Sequence, residues 1–256
     1  MNFSRACFYT LDEGAGVAVA DALGNGPDGA IVGTTTNLWA NAGGLTVSNA
    51  AGSAGDNAIK FLGDYIDQLC RLDNLEGSLV WMYWIKQPQM PTGGQTIFSY
   101  GDVGSNVDGG YYLNHPVQSL VYSIRGGSTW QAGTNSSNTE PLLAADNDVW
   151  RAICIQFDVF DGKLHISGAI DGFPQRGNRL FNLEAGLPRV ASNGTGMRFL
   201  ARGYNAAALS DQFVWGQTQV KRLFVGRVDG EQRHNIPKWF QQFYETATGI
   251  PGFMVA

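Results

Sequence analysis

The sequence predicts an all-β fold, two antiparallel sheets packed as a sandwich, with a short helix near the C-terminus. Three observations lead there. Only 15% of the residues are charged, against roughly 25% in average soluble domains. Glycine reaches 34 residues and gathers with Asn, Ser and Thr between apolar stretches, as many short strands joined by frequent turns require. The apolar stretches themselves have strand length and are rich in β-branched and aromatic residues.

Taken in order, Ala6–Leu11 opens the fold as an apolar strand. Asn57–Phe61 leads into Asp64–Leu69, and both are expected as strands. Ser78–Ile85 (Ser-Leu-Val-Trp-Met-Tyr-Trp-Ile) is the bulkiest candidate, followed after a Pro/Gly turn by Gln95–Tyr100. Gly110–Leu113, Ser119–Ile124, Trp150–Phe157, Lys163–Ile170, Met197–Ala201 and Gln219–Val225 complete the set. In Lys163–Ile170 the alternation puts His165 and Ser167 on one face. The stretches Asn41 to Asn57 and Gly126 to Asn138 read as long loops inside a domain. With no composition break and no repeat, residues 1–256 are expected to form one domain.

The expected helix begins after Asn235, a suitable N-cap, with Pro237 in its first turn. Trp239, Phe240 and Phe243 give it an apolar stripe that would close the sandwich, and Gly249 ends it.

Net charge is −5, which gives no overall field for nucleic acid. The charge is uneven: residues 1–128 carry 5 basic and 11 acidic side chains, and residues 129–256 carry 12 and 11. Cys7, Cys70 and Cys154 stand in apolar settings without metal spacing, as buried free thiols would. No signal-peptide pattern opens the chain and no apolar run is long enough to span a bilayer. The expectation is a soluble protein made in a cytoplasm, with no membrane insertion.

Phe8-Tyr9-Thr10-Leu11-Asp12-Glu13-Gly14-Ala15-Gly16 and Ala20-Asp21-Ala22-Leu23-Gly24-Asn25-Gly26-Pro27-Asp28-Gly29 resemble the opening of laminin-G-like domains in the concanavalin A-like lectin/glucanase superfamily. Ser78–Pro88 is similar to that family's tryptophan strand, Thr96–Asp102 to the strand after it, and Trp150–Phe157 followed by Leu164–Pro174 with Ile170-Asp171-Gly172 to its late hairpin and turn. The terminal strand and the Ile236–Tyr244 helix also match. The resemblance spans nearly the whole chain and implies a jelly-roll sandwich. It further implies a Ca²⁺ ion near the Gly-Asn-Gly loop, where Asp21, Asn25 and Asp28 would supply hard oxygen ligands. Asn-Gly and Asp-Gly equally serve positive-φ turns that need no metal. The terminal strand departs from the family: Val220-Lys221-Arg222-Leu223 stands where an acidic pair is usual. A cation there would pair with Asp21 or Asp28 in place of the ion.

Glucanases of this superfamily carry Glu-x-Asp-x-Glu on one strand, which sets two carboxyl groups about 5 Å apart for retaining hydrolysis. The sequence has no such pattern. Asp146-Asn147-Asp148 and Asp158-Val159-Phe160-Asp161 fall at strand ends, and His115, His165 and His234 are dispersed. No nucleophile elbow or P-loop is present. The expected function is a non-catalytic structural or binding module. Domains of this type in bacteriophage virion proteins suggest a capsid decoration or compact tail-associated protein. Such a protein would sit in the virion as a homo-oligomer or multi-copy assembly contacting other virion or scaffold proteins. The alternative is a lectin-like carbohydrate binder outside any virion, using exposed aromatics such as Tyr111, Tyr112 or above all Trp130 to stack a sugar. A glycoside hydrolase-like enzyme is the third reading.

Overall fold

The computed structural model describes residues 3–32, 45–47, 58–72, 75, 77–86, 96–101, 110–114, 121–126, 129–131, 149–160, 163–171, 173–174, 179–182, 196–200, 202–204, 208–210, 218–229 and 236–245. Its elements run β1 (Arg5–Tyr9), β2 (Ala18–Val19), β3 (Gly29–Val32), β4 (Leu45–Val47), β5 (Ala58–Phe61), α1 (Asp64–Cys70), β6 (Gly77–Lys86) and β7 (Thr96–Gly101). The chain continues through β8 (Gly110–Asn114), β9 (Val121–Gly126), β10 (Thr129–Gln131), β11 (Trp150–Phe160), β12 (Lys163–Ile170), β13 (Phe173–Pro174) and β14 (Arg179–Asn182). It closes with β15 (Met197–Phe199), β16 (Arg202–Tyr204), β17 (Ala208–Ser210), β18 (Thr218–Asp229) and α2 (Ile236–Glu245).

Two antiparallel sheets result, as the sequence predicts. The first has the order β1-β18-β6-β11-β12-β13, with β14 also on β12 and β4 also on β18. The second runs β10-β9-β8-β7-β15-β5-β3-β2, and β16–β17 form a separate ribbon. Alternation decides what each face buries. On β6, Leu79, Trp81, Tyr83 and Ile85 point into the space between the sheets, where Ile153, Ile155, Phe157, Leu223 and Val225 join them. The second sheet answers with Ile59, Phe61, Phe98, Tyr100, Tyr111, Met197 and Phe199. Trp81 and Phe98 stack at 4.0 Å between ring centres and tie the two sheets together.

The first sheet is apolar on its other face as well. Phe3, Ala6, Phe8, Val80, Met82, Ala152, Cys154, Phe224 and Val228 form a second core with Ile236, Trp239, Phe240 and Phe243 of α2. The helix therefore covers the back of the first sheet and does not close the gap between the sheets. Its buried positions fall at i, i+3, i+4 and i+7, the spacing of one helix face. Gly226, an outward position on β18, makes room for this core: a Cβ there would lie 2.7 Å from the Phe3 ring and 2.6 Å from that of Phe224.

Asp64–Leu69, expected as a strand, is the helix α1. Its buried residues Ile66, Leu69 and Cys70 repeat at helical spacing, and Asp64 and Asp67 lie in the first turn, where the helix dipole favours negative charge. Arg227, buried inside the sandwich, donates to the carbonyls of Gln68 (3.0 Å) and Arg71 (3.2 Å) at the other end of this helix. A cation satisfying C-terminal carbonyls is the matching preference.

All three cysteines are buried and free. Burial pushes the Cys7 thiol up to about 12 and raises Cys70 and Cys154 too. Since the thiolate is the nucleophile, native protein at pH 8 is expected to give no colour with Ellman's reagent, and three thiols on denaturation. Rapid reaction of the native protein would show that the sandwich opens locally.

Candidate functional site

The Asp21 turn binds its own chain. Asp21 Oδ1 accepts the amide N–H groups of Phe8 (2.8 Å) and Leu23 (3.2 Å), and Oδ2 accepts those of Asn25 (2.9 Å) and Gly26 (2.8 Å). Asp28 Oδ1 accepts the N–H of Asp21 at 3.1 Å, and Asn25 Nδ2 donates to the Ala6 carbonyl at 3.4 Å. A carboxylate has about four lone-pair positions, and amides take all four of Asp21's. The residues present therefore do not fit a Ca²⁺ ion held through Asp21. Among the described residues no group of three or more His, Cys, Asp or Glu could hold a metal. The turn's job is local: it pins the loop against β1, reinforced by Ala22 N–H on the Phe8 carbonyl (2.7 Å) and by the Tyr9 hydroxyl on the Pro27 carbonyl (2.9 Å). Gly26 is required there, because a Cβ would come within 2.3 Å of Cys7 Sγ.

The departure at Lys221-Arg222 has another purpose than neutralising Asp21 or Asp28. Lys221 pairs with Trp84 across β18 and β6, while Phe224 pairs with Met82. Arg222 and Leu223 thus face Tyr83 together, a β-bulge, and Arg222 takes φ 52°. Its N–H donates to the Thr10 carbonyl at 3.0 Å, and Asp12 is the acid that acts on its guanidinium. The bulge shifts Lys221 into the outward position opposite Trp84. There its ammonium lies 4.1 Å from the centre of the Trp150 ring and 5.5 Å from that of Trp84, well within cation–π range. Burial and the neighbouring Arg222 charge hold the lysine below its ordinary pKa.

Trp84 on β6, Trp150 at the start of β11 and Lys221 on β18 are all half-buried and share the outer face of the first sheet. Lys86 and Gln219, paired with each other at the strand ends, continue the row. The hairpin beside it is fixed by Asp171, which takes φ 51°. Its carboxylate accepts the Ala152 N–H at 2.8 Å and forms an ion pair with Arg151. The result is a two-indole surface carrying cations, with Trp84 at the margin of the core that α2 forms with the sheet. It is the best-formed candidate ligand surface among the described residues. Sequence reasoning missed it. The available signal was the alternation of β6, which sends Trp81 and Tyr83 inward and Trp84 outward.

The other candidates are placed as follows. Trp130, expected in a loop, lies on β10, the outermost strand of the second sheet, opposite Arg125. Tyr111 is fully buried and its hydroxyl donates to the Cys70 carbonyl at 2.9 Å, so it is a core residue; Tyr112 is its neighbour on β8. Asp158 accepts the Ser78 hydroxyl at 3.1 Å and pairs across the strands with His165 on the outer face. Asp146, Asp148, Asp161, His115 and His234 lie outside the described residues.

No protein-family model matches the sequence. No curated protein matches it either. Solved structures do match in shape. The binding domain of botulinum neurotoxin serotype C1 superposes with a TM-score of 0.59 at 10% identity, over 94% of this chain and 52% of that one. A botulinum neurotoxin type C structure concerned with interaction with two ganglioside molecules gives 0.55 at 12% identity, over 92% and 51%. A Trypanosoma rangeli sialidase in complex with 2,3-difluorosialic acid gives 0.55 at 13% identity, over 95% and 33%. The chain spans about half the length of the neurotoxin chains it matches and a third of the sialidase. At these identities the likeness concerns the fold alone: this chain is a two-sheet antiparallel β-sandwich.

Proposed function

We propose that the chain is a non-catalytic, lectin-like binding module whose ligand is a glycan, held on the face formed by Trp84, Trp150 and Lys221. The observation that carries this reading is the lysine ammonium set 4.1 and 5.5 Å from two half-buried indoles on adjacent strands. A sugar stacks its apolar C–H face on an indole and gives its oxygens to a nearby donor. When the flexible lysine stem swings aside, the same residues supply both. Fold relatives concerned with gangliosides and sialic-acid chemistry support a glycan as the ligand class. The absence of catalysis is part of the proposal. It is supported by the structural use of Asp21 and Asp171, whose carboxylates hold backbone amides, and of Asp158, which binds Ser78.

A glycan array followed by fluorescence titration of any hit tests it. Trp150→Ala and Lys221→Ala are each expected to weaken binding tenfold or more, a loss of about 1.4 kcal/mol. An array silent for the wild type counts against the reading. Loss of binding in Trp130→Ala with Trp150→Ala unaffected would move the site to β10.

A second reading is the multi-copy virion component. It draws support from the 15% charged composition, since a surface packed into an assembly tolerates few charges better than a free one. Co-sedimentation with purified particles tests it, and a monomer that never associates with one sinks it.

A further inference from the structure

The outer face of the second sheet carries a row of directly paired residues: Ala30 on β3, Lys60 on β5, Arg198 on β15 and Ser99 on β7. Burial rises along it. Ala30 is exposed, Lys60 half-buried, and Arg198 and Ser99 buried, Arg198 to 2% exposure. The arginine keeps an unspent donor where it lies. Its Nη1 donates to the carbonyl of its own neighbour, Met197, at 3.2 Å, and its Nε is buried with no hydrogen-bond partner. A guanidinium presents five donors in a planar fork suited to an oxyanion. Directly opposite stands Lys60, a second cation, and like charges facing across strands repel. Burial pushes Arg198 down to about 10, with no carboxylate among the described residues opposing the fall, and Lys60 is lowered by burial and by Arg198 itself. A sheet that buries one cation against another, with a donor unspent, is arranged for an anion supplied from outside.

We propose that Arg198 and Lys60 form an anion site that takes an oxyanion group of a ligand, a carboxylate or a sulfate, with the arginine fork as the main donor and Lys60 at the solvent side. Ala30, a lone methyl on the exposed end of the row, leaves that side open. The site is on the opposite sheet from Trp84 and Trp150 and stands whether or not those residues bind a glycan.

The test is thermal melting of the full chain in low-millimolar sodium sulfate and, separately, sodium glucuronate, each against sodium chloride at equal ionic strength. The wild type is expected to gain about 2–4 °C in at least one oxyanion. Arg198→Met is expected to abolish the gain and Lys60→Gln to reduce it by half or more, while Trp150→Ala keeps it. Gain in sulfate alone assigns the site to sulfated or inorganic ligands, and gain in glucuronate alone to carboxylates. No gain in the wild type, or an equal gain in wild type and Lys60→Gln, overturns the proposal. The Lys60 variant decides the matter even if Arg198→Met does not fold.

Discussion

Asp21→Asn is expected to cost about 3 kcal/mol or more, lowering the melting temperature by roughly 6–12 °C. The substitution keeps the size of the side chain and changes one oxygen to an NH₂ group. Whichever oxygen is lost, two amide N–H groups lose their acceptor and meet a donor instead: Phe8 and Leu23 on one side, or Asn25 and Gly26 on the other. Hydrogen bonds to a charged partner contribute about 1.5–3 kcal/mol each, and an orphaned buried donor costs its desolvation besides. The Phe8 amide is fully inside the structure, so water cannot replace the lost acceptor. Asp28→Asn is the control, since exposed Asp28 accepts a single amide, and its loss should stay near 0.5–1.5 kcal/mol. A chelator should leave the wild-type midpoint unchanged. If chelation lowers the midpoint by several degrees, or Asp21→Asn melts with the wild type, the turn is not held by its own amides.

That turn also marks the limit of what the sequence tells. Asp21, Asn25 and Asp28 are identifiable as a constellation from residue types alone. Whether a carboxylate faces an ion or four amides depends on the path of the backbone around it, and the letters do not encode that path. The long strands are legible because β6 and β11 are rich in bulky β-formers, β12 alternates, and turn residues bound them. The short strands β2, β3 and β4 were not, since two to four residues are too few to show a period. The helix α1 is the reverse case: its apolar pairs Tyr65-Ile66 and Leu69-Cys70 repeat at helical spacing, a period that the expectation of a strand passes over. The face of Trp84, Trp150 and Lys221 was hidden for another reason. It assembles from three strands far apart in sequence, and the register that brings Lys221 opposite Trp84 depends on a bulge at Arg222.

The outer face of the first sheet is part covered and part open. Towards one end, Trp84, Trp150 and Lys221 remain half-exposed. Elsewhere Phe3, Phe8, Val80, Met82, Phe224 and Val228 lie under α2. The helix thus accounts for the covered part of that face.

Phe240→Ala is accordingly expected to destabilise the protein by about 3–5 kcal/mol. Phe240 is 1% exposed and sits among the apolar residues that α2 presses onto the first sheet, 6.5 Å from Phe243 between ring centres. Beside it Trp239 meets Phe3 at 4.9 Å, and Phe3 meets Phe224 at 5.0 Å, so the rings link helix and sheet. Removing one ring leaves a cavity that neighbours fixed on strands cannot fill by moving, which is the condition for the upper part of that range. Loosening the helix would also bare an apolar sheet face, a surface prone to bind dyes and to aggregate. Chemical denaturation of Phe240→Ala, with a hydrophobic dye as second readout, measures both effects. A loss below about 1 kcal/mol without added dye binding would mean that the first sheet keeps its outer face without the helix. The open and covered halves of that face would then need another explanation.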